Sequence, residues 1–394
     1  MLERSLPSRR AIGHFWRDIR VLQALTQAAF VVLVILAGRW LLGNLFENLD
    51  ARGLDLGFGF LSRIAGFRVA DEALNMERTD SFQHAYVVGL VNTLQVVILG
   101  LILATALGIL AGISLLSSNW LLRTISQSYV EIMRNTPLLV QLFFLYFAVI
   151  LKLPSLEDRL TLGPVVLSNR GLFTPRAIPQ PSFSAWLFVV IAGVALAIVI
   201  YRNRLSRRRR TGTETRPTLW AALPLIGLPW LAWVLLPGQP LIAENPQLEG
   251  LRIVGGTRLS PEFAAILLGL VIYTAAFIAD IVRSGILAVP HGQLEASLAT
   301  GLTKVQTLRL VVLPQALRVI IPPITNQYLN LAKNSSLAIG VGYPDLYAVS
   351  QTIFNQSGQA VQVIALMMAT YLILSLAISA LMNLINARLR IPER

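Results

Sequence analysis

The chain contains no cysteine. That excludes disulfide stapling, thiol catalysis, thiolate metal sites and iron–sulfur clusters. Charge is also scarce. Only 13% of the 394 residues are charged, about half the share of a soluble domain. With 55% hydrophobic residues and a mean hydropathy of +0.65, so little polar surface cannot cover a soluble core. The composition points to an all-α, polytopic membrane protein. It excludes a disordered chain, which would lack large apolar side chains. Histidine is rare too. His14, His84 and His291 lie far apart and none has H-E-x-x-H spacing, so no metal site is expected. Neither a G-x-x-x-x-G-K-[ST] phosphate loop nor a G-x-S-x-G elbow occurs. The chain is therefore expected to be no enzyme and to carry no cofactor.

What is present in quantity is the long apolar run. A membrane-crossing helix needs about 20 mainly apolar residues. Stretches free of Asp, Glu, Lys and Arg, trimmed to their apolar cores, give eight expected spans: 21–42, 87–115, 135–152, 185–202, 219–236, 263–288, 315–334 and 361–386. The third is short, and the seventh holds Pro322 and Pro323, which are expected to interrupt it. The first is too long for a signal-peptide core and runs into Arg39-Trp40 without a small-residue cleavage site. It is expected to stay as a helix.

The net charge of +13 is distributed unevenly. Fifteen of the 33 bases fall in residues 1–20, in the 202–218 loop and in the tail from Arg388 onward. Arginine-rich short loops mark the cytoplasmic side. Both termini are thus expected in the cytoplasm, which an even number of spans satisfies. The run Arg207–Arg210 is read as this topology signal, and nucleic acid is not expected as a partner. Residues 43–85 carry seven acids against four bases, in keeping with the opposite side. Four segments are expected: 1–85 with the extra N-terminal span, 86–152 as the first half of a core, 153–262 as a Pro- and Gly-rich insertion with two extra spans, and 263–394 as the second half.

Residues 290–314 read as a defined bend on a cytoplasmic loop. Gln293–Thr300 suits a short helix with small residues at Ala296, Ser297 and Ala299, which would let another protein approach the backbone. Gly301 suits the helix end. Thr303 with Gln306 forms a capping-box pattern for the next helix. Pro314 is expected to break or kink that helix.

This stretch resembles the signature loop of permease subunits of binding-protein-dependent ABC importers. That pattern is E-A-A, three residues, G, nine residues, I-x-L-P. Here it reads Glu295-Ala296-Ser297, Gly301 and Val311-Val312-Leu313-Pro314, with Ser and Val as the two departures. The resemblance implies that this loop docks on an ATP-hydrolysing subunit and passes its motion to the membrane helices. Gly89–Leu94, Met133–Gln141, Ala279–Gly285, Leu313–Arg318 and Leu331–Leu337 are similar to the polar amino-acid permeases, the histidine/glutamine-type group. The added spans make the chain resemble the long permeases of general L-amino-acid and glutamate/glutamine/aspartate/asparagine importers. The implied partners are an ATP-binding subunit acting as a dimer, a second homologous permease subunit, a periplasmic amino-acid-binding protein, an amino-acid substrate and membrane lipid. The implied location is the bacterial inner membrane.

Two residue sets are candidates for the transport path and its gate. Asn326, Asn330, Lys333 and Asn334 follow the proline pair, and Asn92, Thr93 and Gln141 sit in other spans. Such amides and hydroxyls could receive a zwitterion without a buried net charge, and they could equally glue helices together. Glu131 with Arg134, and Asp280 with Arg283, are each three apart and share a helix face. They are read as ion pairs and as candidate parts of an inner gate. The alternative function is a stand-alone secondary transporter or channel for small polar solutes. That would call for an ionisable group at mid-span, and the span centres lack one except for Lys333 near one end of the seventh.

Overall fold

Side-chain caps set several helix starts in this computed structural model, which describes residues 19–51, 57–70, 74, 76–212, 216–250 and 252–389. The expected cytoplasmic arginines before Ile19 and after Leu389 lie outside the described residues. Helix α1 spans Ile19–Ala51. Helix α2 (Phe82–Leu115) starts where Ser81 Oγ accepts the His84 N–H, and α3 (Trp120–Asn135) where Asn119 accepts from Leu121 and Leu122. Both are ordinary N-caps. The α3 helix was not expected from the apolar runs, because it is amphipathic and carries Arg123, Glu131 and Arg134.

The expected third span, 135–152, is corrected at its start. Thr136 precedes Pro137 and is extended, at φ −107° and ψ 131°, as the proline ring demands of its predecessor. Helix α4 begins at Leu138 and runs through Phe143 into a π turn (Phe144–Val149) and a 3-10 turn (Ile150–Lys152). It lies bent by 109° from α3. Gln141 Nε2 donates to the carbonyls of Met133 and Thr136, satisfying acceptors left open at the end of α3.

The insertion folds as a helical hairpin on a β clasp. Helix α5 (Phe183–Thr211) and α6 (Pro217–Leu235) run antiparallel: Trp186 stacks edge-on against Trp233, and Arg204 lies over Trp220. The eight short strands that flank the hairpin were not foreseen. β1 (Leu160–Leu162), β2 (Val165–Ser168) and β3 (Gly171–Thr174) form a four-stranded antiparallel sheet with β8 (Thr257–Leu259). β4 (Arg176–Pro179) pairs with β5 (Leu241–Glu244), and β6 (Gln247–Glu249) with β7 (Arg252–Val254). Strands before the hairpin thus pair with strands after it, closing its base. The rest is helical, as expected for the membrane-crossing part.

The second half continues with α7 (Pro261–Leu287), capped by Ser260, α8 (His291–Ala299) and α9 (Lys304–Thr307). A π turn at Leu308–Val312 leads into α10 (Leu313–Asn334). After a 3-10 segment, Ser335–Val341, come α11 (Leu346–Ser357) and α12 (Ala360–Leu389). Two proline expectations are corrected here. The pair Pro322-Pro323 lies inside α10, which continues through it. Pro314 causes no break, because the widened turn before it, where Leu313 N–H reaches the Leu308 carbonyl, absorbs the missing donor.

Among the described residues, seven helices are long and apolar enough to cross a membrane, and eight if α3 and α4 form one bent span. The most buried is α7. It packs along a seam of small residues on α2 at Gly108 and Gly112, part of a run in which Gly100, Ala104, Gly108 and Gly112 recur every fourth position and Gly100 faces Leu331 of α10. A Cβ on Gly108 would sit 2.6 Å from Ile278 Cβ, and one on Gly112 2.8 Å from the Ala279 carbonyl. Lipid gives apolar helices no hydrophobic reason to associate, so close backbone approach over small residues supplies the contact. Around α7 gather Leu142 of α4, Ile320 and Leu331 of α10 and Ile378 of α12.

Candidate functional site

The bend between α8 and α10 is fixed by four local devices. Gly301 sits at φ +82°, a left-handed conformation that costs glycine little. The Gly301 N–H donates to the Leu298 carbonyl and the Leu302 N–H to that of Ser297, the double bond of a Schellman ending. Thr303 and Gln306 exchange both capping-box hydrogen bonds, at 3.3 and 2.8 Å. Ser297 Oγ donates to the Leu294 carbonyl at 2.7 Å and reaches Thr307 Oγ1 at 3.0 Å.

That last contact corrects one expectation. Ser297 is 6% exposed and turned inward, so it ties α8 to α9 and does not offer backbone to a partner. The surface that protrudes consists of Glu295, Ala296, Leu298, Ala299 and Gly301. The Glu295 side chain is 73% exposed and lies 3.2 Å from His291 Nδ1. Helix α8 begins two residues earlier than expected, at His291. Leu313 is exposed and Pro314 half-buried at the start of α10. The rigid bend therefore runs without interruption into α10, through buried Thr307 and Val312.

Helix α10 is two-faced. Ala316, Ile320, Ile324 and Leu331 are buried against the bundle. Pro322, Pro323, Asn326, Asn330 and Lys333 are exposed on another side, and Asn334 is half-buried. Because Pro322 and Pro323 lack N–H groups, the carbonyls of Arg318 and Val319 lose their usual helical donors. A polar stripe along a helix of membrane length is costly against lipid and suits protein or water.

The other path candidates occupy a different setting. Asn92 is 1% exposed and its Nδ2 donates to the Pro344 carbonyl at 2.9 Å. Thr93 Oγ1 accepts the Leu346 N–H at 2.9 Å. Gln141 caps α3, as described. All three clamp main chain to main chain. They do not join the α10 stripe.

The four gate candidates do come together, but not as expected. The recorded ion pair crosses helices: Arg134 Nη1 of α3 lies 2.6 Å from Asp280 Oδ2 of α7. The Arg134 guanidinium also stands 5.4 Å from the Phe277 ring centroid, within cation–π range. Glu131 accepts from Gln127 on its own helix at 3.2 Å. With Arg123 and Arg283 these groups line an open cleft of about 210 Å³. Sequence spacing pointed to pairs within each helix, and the fold instead pairs Arg134 with Asp280 across helices.

One buried group escaped sequence reasoning. Asp345, 1% exposed, caps α11 by accepting the Ala348 N–H and also accepts from Tyr371 of α12 at 3.3 Å. Burial pushes its carboxyl up to about 6. Its place directly before Leu-Tyr-Ala was the available signal of an N-cap.

A bundle of lipid-length helices, a polar-striped helix within it and a rigid protruding bend leading into that helix together define a membrane permease. Comparisons with known proteins agree. The family described as the binding-protein-dependent transport system inner membrane component matches residues 213–391. YhdX of Escherichia coli K12, a putative amino-acid ABC transporter permease protein, is 45% identical across 94% of both chains. AapQ of Rhizobium johnstonii, a general L-amino acid transport system permease protein, is 42% identical across 92% of both. BztB of Rhodobacter capsulatus, from a glutamate/glutamine/aspartate/asparagine transport system, is 40% identical across 94% of this chain and 95% of its own. The chain belongs to this family of ABC transporter permeases and is a transport component, not an enzyme.

Proposed function

We propose that the chain is one of two permease subunits of an ATP-driven amino-acid importer in the bacterial inner membrane, with both termini in the cytoplasm. In this reading α8 docks on a separate ATP-hydrolysing subunit, which acts as a dimer. A periplasmic binding protein delivers an amino acid to the opposite side. Residues 86–152 and 263–394 form the permease core, and 153–262 is an accessory insertion. The observation that carries the reading is the stiffness of the bend. Two helix caps and the Ser297–Thr307 hydrogen bond hold α8 at a fixed angle to the helix that carries the polar stripe. A push on α8 is thereby transmitted to α10 and is not lost in a loose loop.

Substrate passes along the exposed face of α10, where Asn326, Asn330, Lys333 and Asn334 meet the second permease. The cross-helix pair Arg134–Asp280, with Glu131 and Arg283 beside it, holds the inner end closed in the resting state. The names of the relatives support an amino-acid cargo. Reconstitution tests the reading. The chain should co-purify with an ATPase and a second permease, and vesicles holding the whole assembly should take up labelled amino acids only with ATP and binding protein. Uptake by the lone chain without ATP would instead establish a stand-alone transporter. Within the assembly, Arg283→Glu should let ATP hydrolysis run without uptake, and unchanged uptake would remove that residue from the gate.

A further inference from the structure

The end of the α5–α6 hairpin carries a collar of guanidinium groups, of which Arg202 and Arg207–Arg210 are exposed and Arg204 stacks on Trp220. Helix α5 is free of charge from Phe183 to Tyr201, which is about 28 Å at 1.5 Å per residue and close to the hydrocarbon thickness of a bilayer. The same helix then continues through Arg202, Arg204, Arg207, Arg208, Arg209 and Arg210 before Gly212 ends it in the left-handed region. These residues occupy about the next 12 Å, which covers a headgroup layer of about 5–8 Å and the water beyond it, from which long arginine side chains reach back to the headgroups. At 100° per residue they point in all directions around the axis and do not form one face. A flat protein or nucleic-acid surface would need one face. A layer that surrounds the helix does not.

Aromatic anchors place the hairpin in that layer independently. Trp186 and Trp233 pack together near one end, with Trp186 Nε1 donating to the Pro229 carbonyl. Trp220 lies at the other end, with the Arg204 guanidinium 4.5 Å from its ring centroid. Tryptophans at both ends of a span mark the two membrane interfaces. Arg202 and Arg207–Arg210 are exposed and form no ion pair with a carboxylate among the described residues. In the sequence, Glu214 is the one acid between Arg202 and Arg216.

We propose that this collar is a binding surface for anionic phospholipid headgroups and anchors the insertion in the membrane beyond its role as a topology signal. Guanidinium forks match phosphate geometry, and clusters of this size beside a span attract anionic lipid at roughly a factor of five per residue.

The test uses the full-length permease purified in mild detergent, with retained phospholipids counted by mass spectrometry. The wild type should retain phosphatidylglycerol and cardiolipin over phosphatidylethanolamine, and high salt should release the anionic lipids selectively. Changing Arg207, Arg208, Arg209 and Arg210 together to Gln, with Arg202, Arg204 and Arg216 kept to hold the orientation, should lower anionic lipid retention by about tenfold or more. The same four changed to Lys should keep most of it. A wild type with no anionic preference, or a Gln variant that retains as much anionic lipid as the wild type, would overturn the proposal. The wild-type comparison stands even if the Gln variant fails to insert.

Discussion

Asp345 shows how one residue couples burial to stability. Its folded-state carboxyl lies at about 6 against an ordinary 3.8, because burial disfavours the charged form more than the Ala348 N–H favours it. Between pH 4 and 6 the folded chain therefore holds a proton that the unfolded chain has released. Stability falls as pH climbs through that window and is level above it, with a total change on the order of 2–3 kcal/mol. Asp345→Asn keeps a capping acceptor and removes the titration. Thermal unfolding in detergent at pH 4.5 and 7 should show the wild type losing stability, relative to the variant, as pH rises through the same window. Parallel pH profiles for the two proteins would sink this account of Asp345. In the sequence Asp345 was visible as the one acid of residues 335–359 and as a possible N-cap, but nothing local reveals that Tyr371 of α12 closes over it.

At the scale of the element, two devices carry the argument and both were written in local sequence. The bend at Gly301–Thr303 was legible because caps are formed by residues within a few positions of each other. Thr303→Ala should cost about 1 kcal/mol, and Gly301→Ala about 1–2 kcal/mol for its left-handed backbone. Both should lower ATP hydrolysis stimulated by binding protein more than they lower assembly, as read by co-purified ATPase. Equal loss of assembly and stimulation would mean the bend is structural only. The seam between α2 and α7 is the second device. Gly108→Leu places a side chain where Ile278 Cβ already stands, and overpacking of this kind costs about 1–3 kcal/mol. A lowered unfolding temperature is expected, and an unchanged one would mean the helices can separate freely there. The four-residue repeat of small residues was present in the sequence, but reading it as an interface required knowing which helix faces it.

At the scale of the whole molecule, seven of the eight expected spans have a matching helix among the described residues, and the third qualifies only as part of the bent α3–α4 pair; charge-free runs locate the seven because lipid imposes length and composition directly. What did not follow was anything set by long-range contact. The amphipathic α3 carries too many charges to register as an apolar run. The β clasp closes strands separated by the entire α5–α6 hairpin. The candidate gate charges do not pair within their own helices because α3 lies across α7, so Arg134 meets Asp280 and not Glu131. Asn92 and Thr93 look like lining groups in a linear list, yet the fold buries them against the 344–346 turn. The polar stripe of α10 survived because helical periodicity alone gathers Asn326, Asn330 and Lys333 on one side.

The absence of cysteine makes the central claim directly measurable, because any introduced thiol in this chain is its only one. Single cysteines at Ala296 and at Ser297 differ by one residue and by direction: Ala296 is exposed, while Ser297 faces Thr307. In the assembled importer, with one cysteine placed in the surface groove of the ATPase subunit, oxidation should crosslink Ala296→Cys in a manner that changes with ATP, and Ser297→Cys should stay uncrosslinked. Crosslinking at neither position, or equally at both, would contradict the claim that α8 is the rigid helix through which the ATPase drives this permease.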